Sequence, residues 1–320
     1  MPPADNPPPD IREMEPPVRR FWRSPTVLAG AGVAACALIW GTTWYAITLQ
    51  LGRVDPIASI TWRFGLAAAV MMAACLLTGR SLRLPRAAHL AAMGQGLFTF
   101  TIDYACVYWA EERVNSAVVA VLFAGLAFVN LIAFRLVLGQ KAARAAWLGA
   151  LLGMGGVAVL FGSELMRADM DSDAMVGLVF ALVGVAGAAI GNLFAWRGQQ
   201  AGAPVLPQTA WAMAYGTGFL VLYGLVAGTE WRIETTPAYL LSLAYLSILG
   251  SVVAFGLYFT IARLRGYALA SYISAMTPPI AMLVSVLFED ARFGLGALAG
   301  LALVLAGQVL LIRAPRVSAA

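Results

Sequence analysis

Charged residues are scarce in this chain of 320 residues. Asp, Glu, Lys and Arg together make up 12% of it, about half the usual share of a soluble domain, whereas hydrophobic residues make up 61%. A soluble protein of this composition would have too little polar surface to stay in solution. The apolar residues also occur in long pieces separated by short polar loops. Since a lipid bilayer is the natural solvent for such pieces, we predict an all-α integral membrane protein.

Cysteine and histidine are also rare, with three cysteines and one histidine in the whole chain. Cys36, Cys75 and Cys106 are odd in number and lack the spacing of metal ligands, so we expect packing roles and no disulfide framework. The sequence contains no hydrolytic triad, no paired catalytic carboxylates, no phosphate-binding loop and no HExxH spacing. We therefore predict a protein that is not an enzyme and that uses no metal and no cofactor.

Long apolar stretches are the main positive feature of the chain. An α-helix needs about 20 residues to cross the ~30 Å hydrocarbon core of a bilayer. We predict a transmembrane helix for each stretch of this length. The ten stretches cover roughly residues 26–50, 56–78, 87–110, 114–138, 145–163, 174–197, 207–228, 237–262, 267–288 and 293–313.

The basic residues are distributed unevenly between the two sides of these ten spans. With the N-terminus in the cytoplasm, most of the 21 Lys and Arg residues lie on the cytoplasmic side, as the positive-inside rule requires. Arg63 is the one basic residue inside a span. The pattern predicts that both termini are cytoplasmic. Because it also explains the net charge of +5, we predict contact with lipid and no binding of nucleic acid.

The two halves of the chain show weak internal similarity at an offset of about 150 residues. The segment IWGTTWYA at 39–46 aligns with IGNLFAWR at 190–197, and residues 108–128 align with 260–280. With five spans in each half, the second half enters the membrane upside down relative to the first. Inverted repeats of this kind are typical of secondary carriers, whose substrate site lies near the midplane between the repeats.

These observations divide the chain into two repeats and two tails. We predict a first five-helix repeat over 25–163 and a second, inverted five-helix repeat over 174–313. Residues 1–24 are rich in proline and charge, which predicts a disordered cytoplasmic tail. Residues 314–320 form a second, short cytoplasmic tail.

The chain resembles the EamA-type carriers of the drug/metabolite transporter superfamily over about residues 26–313. The resemblance rests on IWGTTWYAI in span one, TWRFG in span two, YACVYWAEERVNSAVVAVLFAGLAF across spans three and four, and SYISAMTPPIAMLVSVLFED in span nine. The chain departs from the family pattern at Ala127, where such carriers often have proline, and at Gln140, where they often have glutamate. The resemblance implies a transporter of small metabolites in the inner membrane.

Arg63 and Asp103 are the two ionisable residues well inside the spans. Each lies about 10 Å below the outer boundary, at ~1.5 Å of helix per residue. A charge in hydrocarbon costs ~3 kcal/mol or more, so each residue needs a partner, and we expect the two to pair between neighbouring antiparallel spans. The pair is then either an ion pair that locks the two helices or part of a cavity that binds a zwitterion or relays protons.

Aromatic and polar residues deep in the spans complete the predicted substrate cavity. The aromatic side chains favour an apolar or aromatic substrate, and polar groups in lipid must form hydrogen bonds toward the protein interior. We expect Pro278 and Pro279 to break the ninth helix and to free carbonyl groups for substrate. For each aromatic residue, packing without substrate contact is the alternative. The candidate cavity residues are Trp40, Thr42, Thr43, Arg63, Gln95, Thr99, Asp103, Tyr104, Asn130, Asn192, Tyr215, Ser274 and Thr277.

The predicted function is secondary transport of small metabolites, above all amino acids including aromatic ones, outward across the inner membrane by alternating access. One alternative is a carrier of drugs, nucleobases or nucleotide sugars, and a remote one is a membrane scaffold or sensor that transports nothing. The predicted partners are a small-molecule substrate and the bilayer. Uniport and exchange against protons both agree with the sequence, as do a monomer and a homodimer.

Overall fold

The structure, a computed structural model, describes residues 25–139, 143–167, 172–265 and 267–313. The tails predicted over 1–24 and 314–320 lie outside these ranges. Throughout the described ranges the chain is helical and contains no strand. This agrees with the all-α class that the scarcity of charge predicts.

Two helices of the first half begin with recognisable capping signals. The Asp55 side chain accepts a hydrogen bond of 2.8 Å from the Ile57 backbone N–H, and Pro56 occupies the first turn. Asn115 caps its helix in the same way, through Ala117. The helices are α1 (Pro25–Thr48), α2 (Pro56–Leu77), α3 (Arg86–Gln95, a π-helical segment Gly96–Asp103, and Tyr104–Glu111), α4 (Ser116–Ala124 and Leu126–Leu138) and α5 (Arg144–Arg167).

The second half repeats this order of elements. Gly228, with a positive φ of 74°, ends one of its helices in the left-handed conformation that glycine adopts without strain. The helices are α6 (Ser172–Gln200), α7 (Val205–Ala227), α8 (Pro237–Ser247, a π-helical segment Ile248–Val253, and Ala254–Arg265), α9 (Tyr267–Phe288) and α10 (Leu295–Arg313).

Several of these helices are suited to a bilayer by length and composition. Six helices of the described chain are long and apolar enough to cross a membrane, and three further apolar helices are shorter. Helix α3 belongs to neither group, because Gln95, Thr99, Asp103 and Glu111 make it polar. Every predicted span coincides with a helix, but the number of membrane crossings stays a prediction.

The helices pack as two equivalent halves. Helix α2 packs against α7, α5 against α10, and α4 against α9. Each pair joins the corresponding helices of the two halves. Helix α3 of the first half contacts α6 and α7 of the second half. In the same way, the corresponding helix α8 of the second half contacts the corresponding helices α1 and α2 of the first half. This recurrence extends the sequence similarity to the level of helix packing.

Small residues bring α5 and α10 close together. A Cβ atom at Gly156 would lie 2.6 Å from the carbonyl oxygen of Gly300, and one at Gly307 would lie 2.5 Å from that of Gly149. Because Gly149 and Gly156 align with Gly300 and Gly307, the two contacts are equivalent under exchange of the halves. Close approach of this kind is typical of helix pairs in membranes.

Helices α3 and α8 contain π-helical segments at corresponding positions, and the sequence did not reveal them. In α3 the Thr101 hydroxyl donates to the Gly96 carbonyl oxygen, five residues earlier, at 3.1 Å. In α8 the Ser251 hydroxyl donates to the Leu246 carbonyl oxygen, also five residues earlier, at 2.8 Å. π-helical turns are rare and frequently occur at functional sites.

The expected break at Pro278 and Pro279 is wrong, because α9 continues through both prolines. Neither proline can donate a backbone hydrogen bond, but neighbouring groups compensate for such losses in membrane helices. The Thr277 hydroxyl donates to the Ile273 carbonyl oxygen at 2.8 Å. Ile280 packs so closely on α1 that a Cβ atom at Gly41 would lie 2.5 Å from its methyl group. The departures from regular helix occur instead in α3 and α8.

Candidate functional site

An open cavity lies between the two halves, with about 800 Å³ of empty space that includes open solvent. Residues of α1, α3, α4, α6, α8 and α9 line it, so both halves contribute to its wall. This is the position that the predicted repeat architecture assigns to a substrate site. The largest lining side chains are aromatic, namely Trp40, Trp44, Tyr104, Phe123, Phe255 and Tyr258.

Contacts between the aromatic rings fix the apolar wall. The Trp40 ring lies 5.2 Å from the Phe255 ring and 5.3 Å from the Tyr258 ring, measured between centroids. The Trp40 indole N–H donates to the Gly250 carbonyl oxygen at 3.1 Å, which anchors the ring to the π-helical segment of α8. Trp44, one helical turn further along α1, lies 5.2 Å from Phe123. The aromatic wall is therefore held in place before any ligand binds.

Asp103 and Thr99 form a polar patch opposite this wall. Both residues lie on the π-helical segment of α3, and their exposed fractions are 5% and 4%. Atoms Oδ1 of Asp103 and Oγ1 of Thr99 are buried and have no hydrogen-bond partner among the described residues. The indole nitrogen of Trp44, another lining residue, is also buried and unpartnered. An unpartnered buried polar atom is costly, so each of these residues could gain from a polar ligand in the cavity.

Glycines of α6 make room for this polar patch. A Cβ atom at Gly191 would overlap the Thr99 hydroxyl, and one at Gly184 would lie 3.5 Å from Oδ1 of Asp103. A Cβ atom at Gly187 would lie 3.1 Å from the Phe98 carbonyl oxygen. The spacing of the three glycines places them on one face of α6. Helix α6 can therefore approach the π-helical segment closely only because these positions lack side chains.

The expected pairing of Arg63 with Asp103 is wrong, since no ion pair joins them in the described part of the chain. The Arg63 side chain is buried, with Nε donating to the Ser251 hydroxyl at 3.2 Å and a terminal nitrogen donating to the Tyr104 hydroxyl at 3.5 Å. Its guanidinium carbon lies 4.5 Å from the centroid of the Tyr104 ring. Tyr104 contacts Arg63 and lines the cavity, whereas Arg63 itself does not line the described part of the cavity.

The cavity includes several other residues that the sequence singled out. Trp40, Thr43, Tyr104, Asn192 and Thr277 line it together with Thr99 and Asp103. The hydroxyls of Thr43 and Thr277 donate to carbonyl oxygens of their own helices, at 2.9 and 2.8 Å. Asn192 donates to the Asn130 side-chain oxygen at 3.3 Å, which places Asn130 directly behind the cavity wall.

The remaining candidates lie elsewhere. Thr42 contacts the Tyr245 hydroxyl, and Gln95 accepts a hydrogen bond of 3.2 Å from Gln208. Tyr215 contacts His89 at 3.0 Å, between its hydroxyl oxygen and the Nδ1 ring nitrogen. None of these three, nor Asn130, lines the described part of the cavity. The side chain of Ser274 lies outside the part of the chain that the structure describes.

Sequence reasoning omitted four aromatic residues that the cavity includes. Trp44 follows Trp40 by four residues, so helical spacing could have indicated that both face the same way. Phe255 and Tyr258 follow the π-helical segment of α8, whose extra residue changes the face on which later side chains lie. Phe123 gave no signal beyond its apolar character.

Glu111 is a buried acid that sequence reasoning placed in a loop. It ends α3, its exposed fraction is 7%, and both carboxylate oxygens lack a hydrogen-bond partner among the described residues. Nearby, Glu289 accepts hydrogen bonds from the hydroxyls of Ser116, at 2.6 Å, and Ser285. In the turn that follows α3, partial burial raises the pKa of Glu112, and the neighbouring Arg113 opposes this shift.

Apolar helices of membrane length, packed as two equivalent halves around a shared cavity, define a multi-pass membrane protein. The sequence profile of the EamA-like transporter family matches residues 28–162 and, a second time, residues 175–313. The chain therefore belongs to the EamA-like transporter family, as the resemblance implied. The two matched stretches coincide with the two halves of the fold.

Comparison with individual proteins agrees with this assignment. The chain is 27% identical over 256 residues to the "Uncharacterized inner membrane transporter YedA" of Escherichia coli (strain K12), covering 78% of the chain and 79% of YedA. It is 31% identical over 106 residues to "Protein PagO" of Salmonella typhimurium (strain LT2), covering 33% of the chain and 35% of PagO. A protein of known crystal structure, 21% identical, shares the fold with a TM-score of 0.66, over 88% of this chain and 96% of the other.

These findings confirm the predicted family and location. The chain is a multi-pass transporter of the inner membrane.

Proposed function

We propose that the chain is a secondary carrier that moves small metabolites outward across the inner membrane. Amino acids, including aromatic ones, are the first substrate class. In this proposal the chain crosses the membrane ten times, both termini are cytoplasmic, and the second half is inverted relative to the first. Rocking of the two halves would expose the cavity to one side of the membrane and then to the other.

The position and lining of the cavity carry this proposal. The cavity lies where the two halves meet, which is the usual position of the substrate site in carriers built from two repeats. Aromatic side chains supply an apolar wall, and Asp103 with Thr99 supplies a polar patch. This combination suits a small solute that has an apolar body and at least one polar group.

The same features weigh against two of the alternatives. A nucleotide sugar requires cationic partners for its phosphates, and no basic side chain lines the described part of the cavity. A scaffold that transports nothing would be expected to have a filled interface between its halves. Drugs and nucleobases are the second candidate class, because their flat apolar bodies would also suit the aromatic wall.

Transport by purified protein in proteoliposomes tests the proposal. Vesicles loaded with labelled phenylalanine, leucine or adenine would be followed for efflux, with and without a pH gradient. We expect at least one of these solutes to leave faster than from vesicles without protein, and Asp103→Asn to slow its efflux by about tenfold or more. Asp173→Asn is the matched control, because Asp173 is exposed and pairs with Arg113 at the surface.

Efflux at the same rate with and without protein, for every solute class tested, would contradict the carrier. Acceleration only in the presence of a pH gradient would identify exchange against protons, whereas acceleration without one would identify uniport.

A further inference from the structure

We infer that the cavity recognises the ammonium group of its substrate through Asp103 and that it prefers aromatic amines to the corresponding amino acids. The inference rests on the proposed function, since it takes the cavity to be the transport site. It changes the first substrate class from amino acids to aromatic amines, on account of the charge that the cavity can accept.

The first argument is the state of the Asp103 side chain. Asp103 lines the cavity, and its buried Oδ1 atom, which packs toward Gly184, has no partner among the described residues. Thr99, four residues earlier on the same segment, presents a second unpartnered oxygen, Oγ1. An ammonium group has three N–H donors and no acceptor, so it suits a carboxylate such as that of Asp103. A hydrogen bond between two charged groups is also roughly twice as strong as one between neutral groups.

The second argument is the charge of the remaining wall. Among the described residues that line the cavity, Asp103 is the one charged side chain. An amino acid would also bring a carboxylate, which needs a cationic or strongly donating partner once it leaves water. Arg63 cannot serve as the partner of the carboxylate, because its side chain is directed at Ser251 and lies against the Tyr104 ring. Among the residues it describes, the structure therefore provides an anionic partner for the amine, whereas for a carboxylate the lining provides the unpartnered Trp44 indole N–H but no cation.

The third argument is the chemistry of the opposite wall. Trp40, Trp44 and Phe255 present aromatic rings to the cavity. The faces of such rings attract cations, and tryptophan attracts them most strongly. The Arg63 guanidinium uses one face of Tyr104 in this way, 4.5 Å from the ring centroid. An aromatic amine would thus find a carboxylate for its charge and aromatic surfaces for both its charge and its ring.

Three ligands with the same ring separate the effect of charge from that of shape. Phenylethylamine is a cation, phenylalanine is a zwitterion and phenylpropionate is an anion. Binding to the purified full-length protein in detergent would be measured by calorimetry and by quenching of tryptophan fluorescence, since Trp40 and Trp44 line the cavity. We expect phenylethylamine to bind about tenfold or more tightly than phenylalanine, and phenylpropionate to bind weakest.

Variants of Asp103 assign the preference to its charge. Asp103→Asn keeps the size of the side chain and should remove the preference for the amine, whereas Asp103→Glu keeps the charge and should retain it. Thr99→Val should weaken amine binding by a smaller factor. Asp173→Asn, remote from the cavity, should bind as the unchanged protein does. If Asp103→Asn fails to fold, the comparison of the three ligands on the unchanged protein still decides the question.

Two results would overturn the inference. Phenylalanine that binds as tightly as phenylethylamine, or tighter, would show that the cavity accepts a carboxylate, and the proposed amino-acid carrier would then stand. Absence of binding for all three ligands would exclude recognition of aromatic amines. Efflux of leucine or adenine from proteoliposomes would, in that case, still support the proposed function by itself.

Discussion

Arg63 is the largest of the fully buried side chains that the structure describes. A buried guanidinium is costly unless its charge and its N–H groups find partners. Ser251 of α8 and Tyr104 of α3 accept hydrogen bonds from two of its nitrogens, so Arg63 connects three helices, whereas its Nη1 atom has no partner among the described residues. Asp103 differs in that it lines the described part of the cavity, which Arg63 does not. We therefore assign the two buried charges different roles, one internal to the protein and one directed at a ligand.

Exchange of the two charges tests this separation. Arg63→Asp alone and Asp103→Arg alone should each lower the yield of folded protein, because each leaves uncompensated buried charge. The double variant with both changes should not recover, since the new carboxylate at position 63 would face Ser251 and Tyr104 and gain no cationic partner. Yield in the membrane, thermal stability in detergent and solute efflux would be measured for all three. Recovery of both stability and efflux in the double variant would contradict the separate roles and restore the direct pair.

Residue identity and depth were predictable from the sequence, but side-chain direction was not. Counting residues from the span ends predicts similar depths for Arg63 and Asp103, and both side chains are buried in the structure. The direction of a side chain depends on the helical phase, and Asp103 lies at the end of a π-helical segment that changes this phase. Sequence periodicity assumes a regular helix, so it could not reveal that Arg63 contacts Ser251 and Tyr104 instead of Asp103.

At the scale of elements, the fit between α3 and α6 positions the polar patch. The π-helical segment of α3 carries Thr99 and Asp103, and Gly184, Gly187 and Gly191 of α6 receive it. Bulky residues at these three positions would push α6 away from the segment. The polar patch therefore depends on small residues that belong to the other half of the chain.

Gly191→Ala tests this fit. The added methyl group would overlap the Thr99 hydroxyl, and overpacking of this kind costs about 1–3 kcal/mol. We expect a lower melting temperature in detergent and weaker ligand binding. Gly218→Ala, in α7, is the matched control, because a Cβ atom there meets nothing within 4 Å. Adding Thr99→Ala to Gly191→Ala should restore part of the stability, and equal stability of Gly191→Ala and Gly218→Ala would contradict the fit.

The helices themselves were largely predictable, whereas their irregularities were not. Apolar stretches between polar turns gave helices close to their observed bounds, with caps such as Asp55 and Asn115 at the starts. The expected break at Pro278 and Pro279 was wrong, because packing and side-chain hydrogen bonds support α9 there. The π-helical segments arise from hydrogen bonds and packing between helices, for which a single sequence carries no distinct pattern.

At the scale of the whole molecule, the repeated packing of the two halves places one cavity between them. The family match occurs once in each half, and equivalent glycine contacts join α5 to α10. Alternating access follows if the cavity opens to each side in turn as the halves move against one another. The charge distribution, the ten apolar stretches and the motifs were sufficient to predict the family and the membrane location. The shape and lining of the cavity depend on packing between residues that are distant in sequence. A single sequence shows no pattern from which this packing can be predicted.

Access of water to the cavity tests the central claim most directly. Cysteine would be introduced at Asn192, which lines the cavity, and as a control at Ile190, which is exposed on the same helix outside it. Each variant would be treated with a small membrane-impermeant thiol reagent from each side of the membrane. The three native cysteines are buried, so the unchanged protein gives the background. We predict labelling of Asn192→Cys and none of Ile190→Cys; an Asn192→Cys variant that resists the reagent from both sides would contradict a transport cavity between the two halves.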